Sequence, residues 1–376
     1  MEYNKITDSK ISTETINNWR KSGKKALGIV CCHVPFELLH AAEILPVRLR
    51  ATACKTCIDA EACMGEENCG FTKGILQYLI DGVYELDGVL MSDGCSVSAG
   101  ISNQWKIIAP KRNKPQYFYE ISAPRMNNDA ALKFFHSELD DLREELETLT
   151  GNKITNEKLK HSVDTYNEAR RLVKQIYELH KAERPVISGE ETLRITLAAT
   201  EMPIEDYIEF LKAALADMEG REPVHAFGAR VMLAGSALDD PDYVREIEDC
   251  GCLVVADLNS FGLRFLRDEL PYDESDVMAS ISKYYLGRSS CPRMMDGSDG
   301  IHQYIFDAAA EYRADGVIIE RLSHCDKWEN EGEALGMVLK ERGIPFISME
   351  RLQQKSAPGQ LQIRVEAFRE MIENQK

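Results

Sequence analysis

Eleven cysteines are where this sequence of 376 residues could do chemistry. Eleven is odd, so they cannot all pair with one another. At about 3% of the chain they also fall far below the density of a disulfide scaffold. In a reducing compartment, clustered thiols bind metal or do redox chemistry more often than they staple a fold. Three of them, Cys69, Cys95 and Cys325, stand at the entrances of expected helices. The N-terminal dipole of a helix favours thiolate over thiol at such a position. Three thiolates are one short of the four that close a structural zinc site or an electron-transfer cubane. They suit a metal or cluster with one open position, where a substrate can bind.

The other thiols are read more plainly. Cys54, Cys57 and Cys63 precede Cys69 in a C-x2-C-x5-C-x5-C run that matches neither ferredoxin pattern, and are taken as spare thiols beside a cluster loop. Cys31 and Cys32 end an expected strand, so one side chain faces the core and the other the cleft. Cys250 and Cys252 are expected in the core. Cys291 lies in the loop SSCPRMMDGSDG and is left undecided. Among other groups, His33, His40 and His324 fall near the expected cleft. His324 adjoins Cys325 and could hydrogen-bond a cluster sulfur. Glu37, at the start of a helix, is either an acid that complements the helix dipole or a general base in the cleft.

The elements that must position these groups alternate. Residues 27–31, 88–91 and 116–120 read as strands, with helices at 35–42, 72–81 and 98–108. From 127 to about 218 the pattern turns to Lys/Glu-rich amphipathic helices: 127–149, 156–181, 191–200 and 204–218. A second alternating segment has strands at 230–233, 253–256, 316–319 and 345–349, with helices at 242–248, 301–313, 328–340 and 360–373. The two α/β segments echo each other. DGVLM (87–91), Cys95, a helix and PQYFYE (115–120) recur as DGVII (315–319), Cys325, a helix and PFISME (345–350). The expected fold is α/β: two Rossmann-like parallel-sheet domains related by internal duplication, at 1–126 and 223–376, joined by a helical segment at 127–222. Ligands of open parallel sheets sit outside the carboxyl ends of the strands. Cys95 and Cys325 are both placed there, facing one inter-domain cleft.

Charge and absent motifs exclude other classes. Lys and Arg total 45 against 62 Asp and Glu, a net charge of −17. Such a chain repels a phosphate backbone and an anionic membrane surface, so neither nucleic acid nor membrane is expected as partner. The polar N-terminal residues lack the apolar stretch of a leader, and no window suits a spanning helix, so a cytoplasmic location is expected. There is no GxxxxGK[ST], HExxH, GxSxG or GxGxxG.

Longer motifs carry a resemblance. HVPFELLHAAEILPVRL (33–49) resembles the opening motif of the 2-hydroxyacyl-CoA dehydratase and benzoyl-CoA reductase family. CGFTKGIL (69–76), LDGVLMSDGCS (86–96) and LSHCDKWENE (322–331) resemble its three cluster-ligand motifs, and 343–372 its closing strand and helix. VMLAGSALDD (231–240) and VVADLNSFGLR (254–264) also fit, so the resemblance runs through nearly the whole chain in order. It implies a [4Fe-4S] cluster held by Cys69, Cys95 and Cys325 with one iron left open. It also implies a dimer with a second family subunit, a paralogue or a second copy, and a separate ATP-hydrolysing iron–sulfur activator that injects one electron. The implied activity is elimination of water from a 2-hydroxyacyl-CoA through a ketyl radical, with Glu37 and His33 as candidate catalytic residues. The alternative within the family is an ATP-dependent reductase component, either benzoyl-CoA reductase-like or carrying a double-cubane [8Fe-9S] cluster. A non-catalytic cluster- or zinc-binding scaffold is the rival of a different class.

Overall fold

A computed structural model describes residues 13–114, 117–288, 291–353 and 358–376. Gln116 of the expected strand, Ser289 and Ser290, and the QKSA stretch at 354–357 lie outside the described residues. Apolar runs make the strands, and polar-faced helices cover them. The first half runs α1 (Thr13–Lys21), β1 (Lys25–Val30), α2 (Phe36–Ala41), β2 (Ile44–Arg48), α3 (Ile58–Met64), α4 (Gly70–Asp81), β3 (Gly88–Ser92), α5 (Ser96–Lys111) and β4 (Tyr117–Ile121). Four helices follow: α6 (Asp129–Thr150), α7 (Asn156–Glu178), α8 (Gly189–Ala198) and α9 (Ile204–Met218). The second half runs β5 (Ala229–Gly235), α10 (Pro241–Asp249), β6 (Cys252–Leu258), α11 (Leu263–Leu266), α12 (Val277–Gly287), α13 (Ser298–Glu311), β7 (Gly316–Leu322), α14 (Asp326–Glu341), β8 (Phe346–Arg351) and α15 (Pro358–Glu373).

The strands form two four-stranded sheets, ordered β2-β1-β3-β4 and β6-β5-β7-β8. Every pairing is parallel. Strands such as β3 and β6 are buried along their whole length, as expected of parallel strands covered on both faces. The two sheets share one topology, with β3 and β7 in the same place and β4 and β8 beside them. That is the architecture of two Rossmann-like units, and it matches the echo read from the sequence.

One large apolar cluster joins a face of each sheet to the helices α6–α9 and α12; two smaller ones fill the outer faces. At the joint, Glu37 of α2 meets Arg170 of α7 and Tyr285 of α12. Among the described residues, no helix is long and apolar enough to cross a membrane.

Helix starts differ in an informative way. Asn128, Thr155 and Ser188 cap α6, α7 and α8 by accepting backbone N–H bonds through their side chains. The residues in the same position on α4, α5 and α14 are Cys69, Cys95 and Cys325, and none caps its helix through its side chain. Their sulfurs are left to other partners.

Candidate metal centre

In each sheet the strand order reverses between two central strands, and the crevice beyond their carboxyl ends is where such folds bind ligands. In the first sheet those strands are β1 and β3, and Cys31–Cys32 follow one while Cys95 follows the other. In the second they are β5 and β7, and Cys325 follows β7. The two crevices share one cavity of about 150 Å³ between the halves. That is on the order of ten times the space one water needs, so it suits a multi-atom group better than a lone ion.

Six cysteines line this cavity: Cys31, Cys32, Cys69, Cys95, Cys291 and Cys325. They fall into two trios. Cys69, Cys95 and Cys325 feel one another's charge. Burial, with the neighbouring Cys325 next in weight, pushes the Cys69 thiol up to about 12, and burial also raises Cys325. This corrects the helix-dipole expectation. At Cys69 and Cys325, without a cation, burial outweighs the dipole and favours the thiol. A bound metal would reverse that balance, since it deprotonates the thiols that ligate it.

In the second trio the thiols act strongly on one another: Cys32 raises those of Cys31 and Cys291, and they hold Cys32 below its usual range. His33 completes the cluster, and its ring nitrogen with the Cys31 and Cys32 sulfurs places three ligand atoms within 4.8 Å of one another. His33 Nδ1 lies 3.5 Å from Cys31 Sγ and 3.6 Å from Cys32 Sγ. Arg293 Nη1 approaches His33 Nε2 at 3.4 Å. A guanidinium only donates, so Nε2 accepts and Nδ1–H points at the sulfurs.

The backbone is shaped around these thiols. Cys31 and His324 both take left-handed conformations, φ 82° and 62°, which few non-glycine residues adopt. Such strain concentrates where a fold must present a group. Gly94, just before Cys95, faces Cys31. A Cβ there would stand 3.0 Å from Cys31 Sγ and 2.7 Å from Ser98 Oγ. The soft donor set, the space and the missing Cβ together fit an iron–sulfur cluster.

Other expectations resolve differently. Both Cys31 and Cys32 face the cavity, where one was expected in the core, and Cys291 joins them. Cys250 and Cys252 are in the core as expected. Cys54 and Cys57 form a buried pair with sulfurs 3.7 Å apart, outside the cavity lining, and Cys63 packs beside the same core. Glu37 does not line the cavity. Burial pushes its carboxyl up, but Arg170 at 2.5 Å and the Tyr285 hydroxyl at 2.7 Å outweigh that and leave it below its usual range. A carboxylate so held is a poor general base. His40 bonds Ser162 and Glu205 on the far end of α2, and His324 is exposed. The sequence reading missed Arg48, Arg264 and Arg293, which also line the cavity. The Cys-Pro-Arg at 291–293 was the one available hint.

Comparison with known proteins bears on the same residues. Residues 31–372 match the family described as 2-hydroxyglutaryl-CoA dehydratase, D-component. The chain is 27% identical to a benzoyl-CoA reductase subunit of Thauera aromatica, covering 88% of this chain and 86% of the relative. It is 23% identical to the (R)-phenyllactyl-CoA dehydratase beta subunit of Clostridium sporogenes, covering 95% and 94%. It is 22% identical to the beta subunit of the (R)-2-hydroxyglutaryl-CoA dehydratase of Acidaminococcus fermentans, covering 99% and 98%. The two dehydratases are hydro-lyases, and their beta subunits imply a partner subunit in those enzymes.

Proposed function

Because this chain belongs to the 2-hydroxyglutaryl-CoA dehydratase D-component family, we propose that it is the cluster-bearing subunit of an electron-activated enzyme, and that its six cavity thiols hold a double-cubane [8Fe-9S] cluster serving a reduction. The observation that carries this reading is the pair of trios on one cavity. Two cubanes joined through a bridging sulfide leave three irons on each side for thiolates, and six thiolates in two threes meet that need. Cys69, Cys95 and Cys325 would hold one half, and Cys31, Cys32 and Cys291 the other. His33 donates from Nδ1 to the second set of sulfurs, which steadies their negative charge. Phe71 and Phe261, packed edge to face at 5.7 Å, keep the cavity wall apolar. When bound, the cluster would supply stored low-potential electrons for the reduction. An ATP-hydrolysing iron–sulfur activator and a second family subunit belong to this reading as partners.

A second reading has a specific observation in its favour, the dehydratase beta subunits that align over nearly their whole length. It assigns a single [4Fe-4S] cluster to Cys69, Cys95 and Cys325, an acyl-CoA to the open iron, and elimination of water as the reaction. Cys31, Cys32 and Cys291 then only border the site. Iron and acid-labile sulfide analysis of anaerobically purified protein separates the two. About eight iron and nine sulfide per chain, falling in both Cys95→Ser and Cys291→Ser, is expected. About four of each, unchanged in Cys291→Ser, sinks the double-cubane reading and leaves the hydro-lyase.

A further inference from the structure

The two trios do not share one electrostatic environment. Guanidiniums gather around Cys31, Cys32 and Cys291. Arg288 donates to the Cys32 carbonyl, and Arg293, only 4% exposed, donates to the carbonyls of Gly94, Ala123 and Pro124. Arg264 is near enough to act on Cys291. On the other trio, the charges that weigh on Cys69 are the neighbouring thiols Cys325 and Cys95. Cys325 there feels Glu320, an acid, and the ammonium of Lys327 on that wall is paired with Asp326 at 3.1 Å.

Arg48 stands out within the basic group. It ends β2, is 5% exposed, and faces the cavity. Phe261 and Phe265 hold its guanidinium between them, each ring centroid 4.4 Å from Cζ. Its Nη1 is buried and has no hydrogen-bond acceptor among the described residues. Burial, together with the charges of Arg264 and Arg288, makes the cation costly here and lowers its pKa to about 10, while Cys32 and Cys31 act the other way. A buried cation held by two rings in the cavity wall favours negative charge in the cavity beside it.

We propose that Arg48 sets the order in which the two halves of the centre accept an electron, by holding the Cys31/Cys32/Cys291 half at a higher reduction potential than the Cys69/Cys95/Cys325 half. This rests on the six-thiolate reading above. The step is electron addition alone: one electron arrives from a low-potential donor, and no bond at Arg48 forms or breaks. A fixed positive charge in a dry site favours the added electron nearby and weakens with distance, so it discriminates between the halves. Arg48 touches no reacting atom and acts through the centre's charge; it is a positioning residue.

The test is a dithionite titration of anaerobic protein followed by electron paramagnetic resonance, for the wild type, Arg48→Met and Arg48→Lys. In Arg48→Met, with iron per chain unchanged, one of two couples is expected to fall in potential by at least about 59 mV, which at a fixed poise is a tenfold rise in its oxidised-to-reduced ratio for one electron. Arg48→Lys keeps the charge and is expected to recover most of the shift. Full iron with neither couple moved, or both moved equally, overturns the role of Arg48. Iron near half the expected content in the wild type instead removes the six-thiolate premise. If Arg48→Met loses all iron, Arg48→Gln, neutral but polar, takes its place: a full-iron Gln variant with one couple lowered supports the charge mechanism, and one with neither couple moved, or both moved equally, refutes it.

Discussion

Replacing Glu37 with Gln tests whether that carboxylate holds the two halves together or performs chemistry. Glu37 is 0% exposed and its partner Arg170 is 1% exposed. Oε1 accepts from Arg170 Nη2 at 2.5 Å and Oε2 from the Tyr285 hydroxyl at 2.7 Å. Arg170 in turn donates to Asn167, which bonds the backbone at Leu270. Three parts of the chain therefore meet on one carboxylate. Removing its charge leaves a guanidinium buried and uncompensated, which costs about 3–5 kcal/mol. Arg170→Met should cost a similar amount through the stranded carboxylate. The pair Glu37→Met with Arg170→Met buries no lone charge, and replacing both members of a buried pair by apolar groups is often near neutral. The double variant should therefore lose far less than the sum of the singles. Urea unfolding with an unchanged slope reads these differences as midpoint shifts. A Glu37→Gln protein with the wild-type midpoint and full iron, but without turnover, would refute the argument and restore Glu37 as a catalytic base.

Gly94→Ala places a Cβ 3.0 Å from Cys31 Sγ, so iron per chain should fall sharply, while overpacking costs about 1–3 kcal/mol of stability; full iron content would show that the space is not needed. Cys250→Ala, in the outer core of the second half, should keep its iron where Cys95→Ala and Cys325→Ala lose theirs. Stripping the metal anaerobically with a chelator should lower the unfolding midpoint, because a cluster that binds only the folded chain stabilises it by mass action; equal midpoints would mean the halves close without it. His180 is buried and bonds Thr192 Oγ1 at 2.7 Å, and burial, then the charge of Arg230, hold its pKa down to about 3. The unfolded chain takes up that proton near pH 6.5 and the folded chain does not, so stability is highest above pH 6.5 and falls by about 1.4 kcal/mol per pH unit down to about pH 3. His180→Gln should lose that part of the slope, measured as urea midpoints between pH 7 and 4.

Periodicity and echo made most of the fold legible, and physical reasons account for what they missed. β1, β3, β5 and β7 are apolar runs between turn residues, and the long helices α6 and α7 show their buried stripe plainly. β2 was missed because Pro46 interrupts it. A proline is tolerated there because β2 is an edge strand, pairing with β1 alone. α12 was missed because its apolar face packs on α6 and α7, contacts far away in sequence. In the site, Cys69, Cys95 and Cys325 were readable because each precedes a helix. The second trio was not, since Cys31 and Cys32 stand side by side on a strand end, where alternation predicts opposite faces. The left-handed turn at Cys31 breaks that alternation and brings both sulfurs to the cavity. Arg48 gave no local sign, because its role depends on Phe261 and Phe265 from the other half.

The shared sheet topology explains why the six cavity thiols meet between the halves and why their arrangement is unequal. Cys95 and Cys325 follow equivalent strands, β3 and β7. Cys69 and Cys291 both lie ahead of the helix that leads into those strands, α4 and α13. At the remaining equivalent position symmetry is broken: β1 ends in Cys31–Cys32, while β5 ends in Gly235 followed by Ser236 and Ala237. The first half therefore brings four thiols and the second half two. Each trio takes two from the first half and one from the second, so neither half alone can complete either trio. Closure of the halves and completion of the donor set are then one event. The buried contacts across the joint, Glu37 with Arg170 and Arg50 with Glu201 and Thr52 with Asp239, hold the geometry in which both trios face the same space.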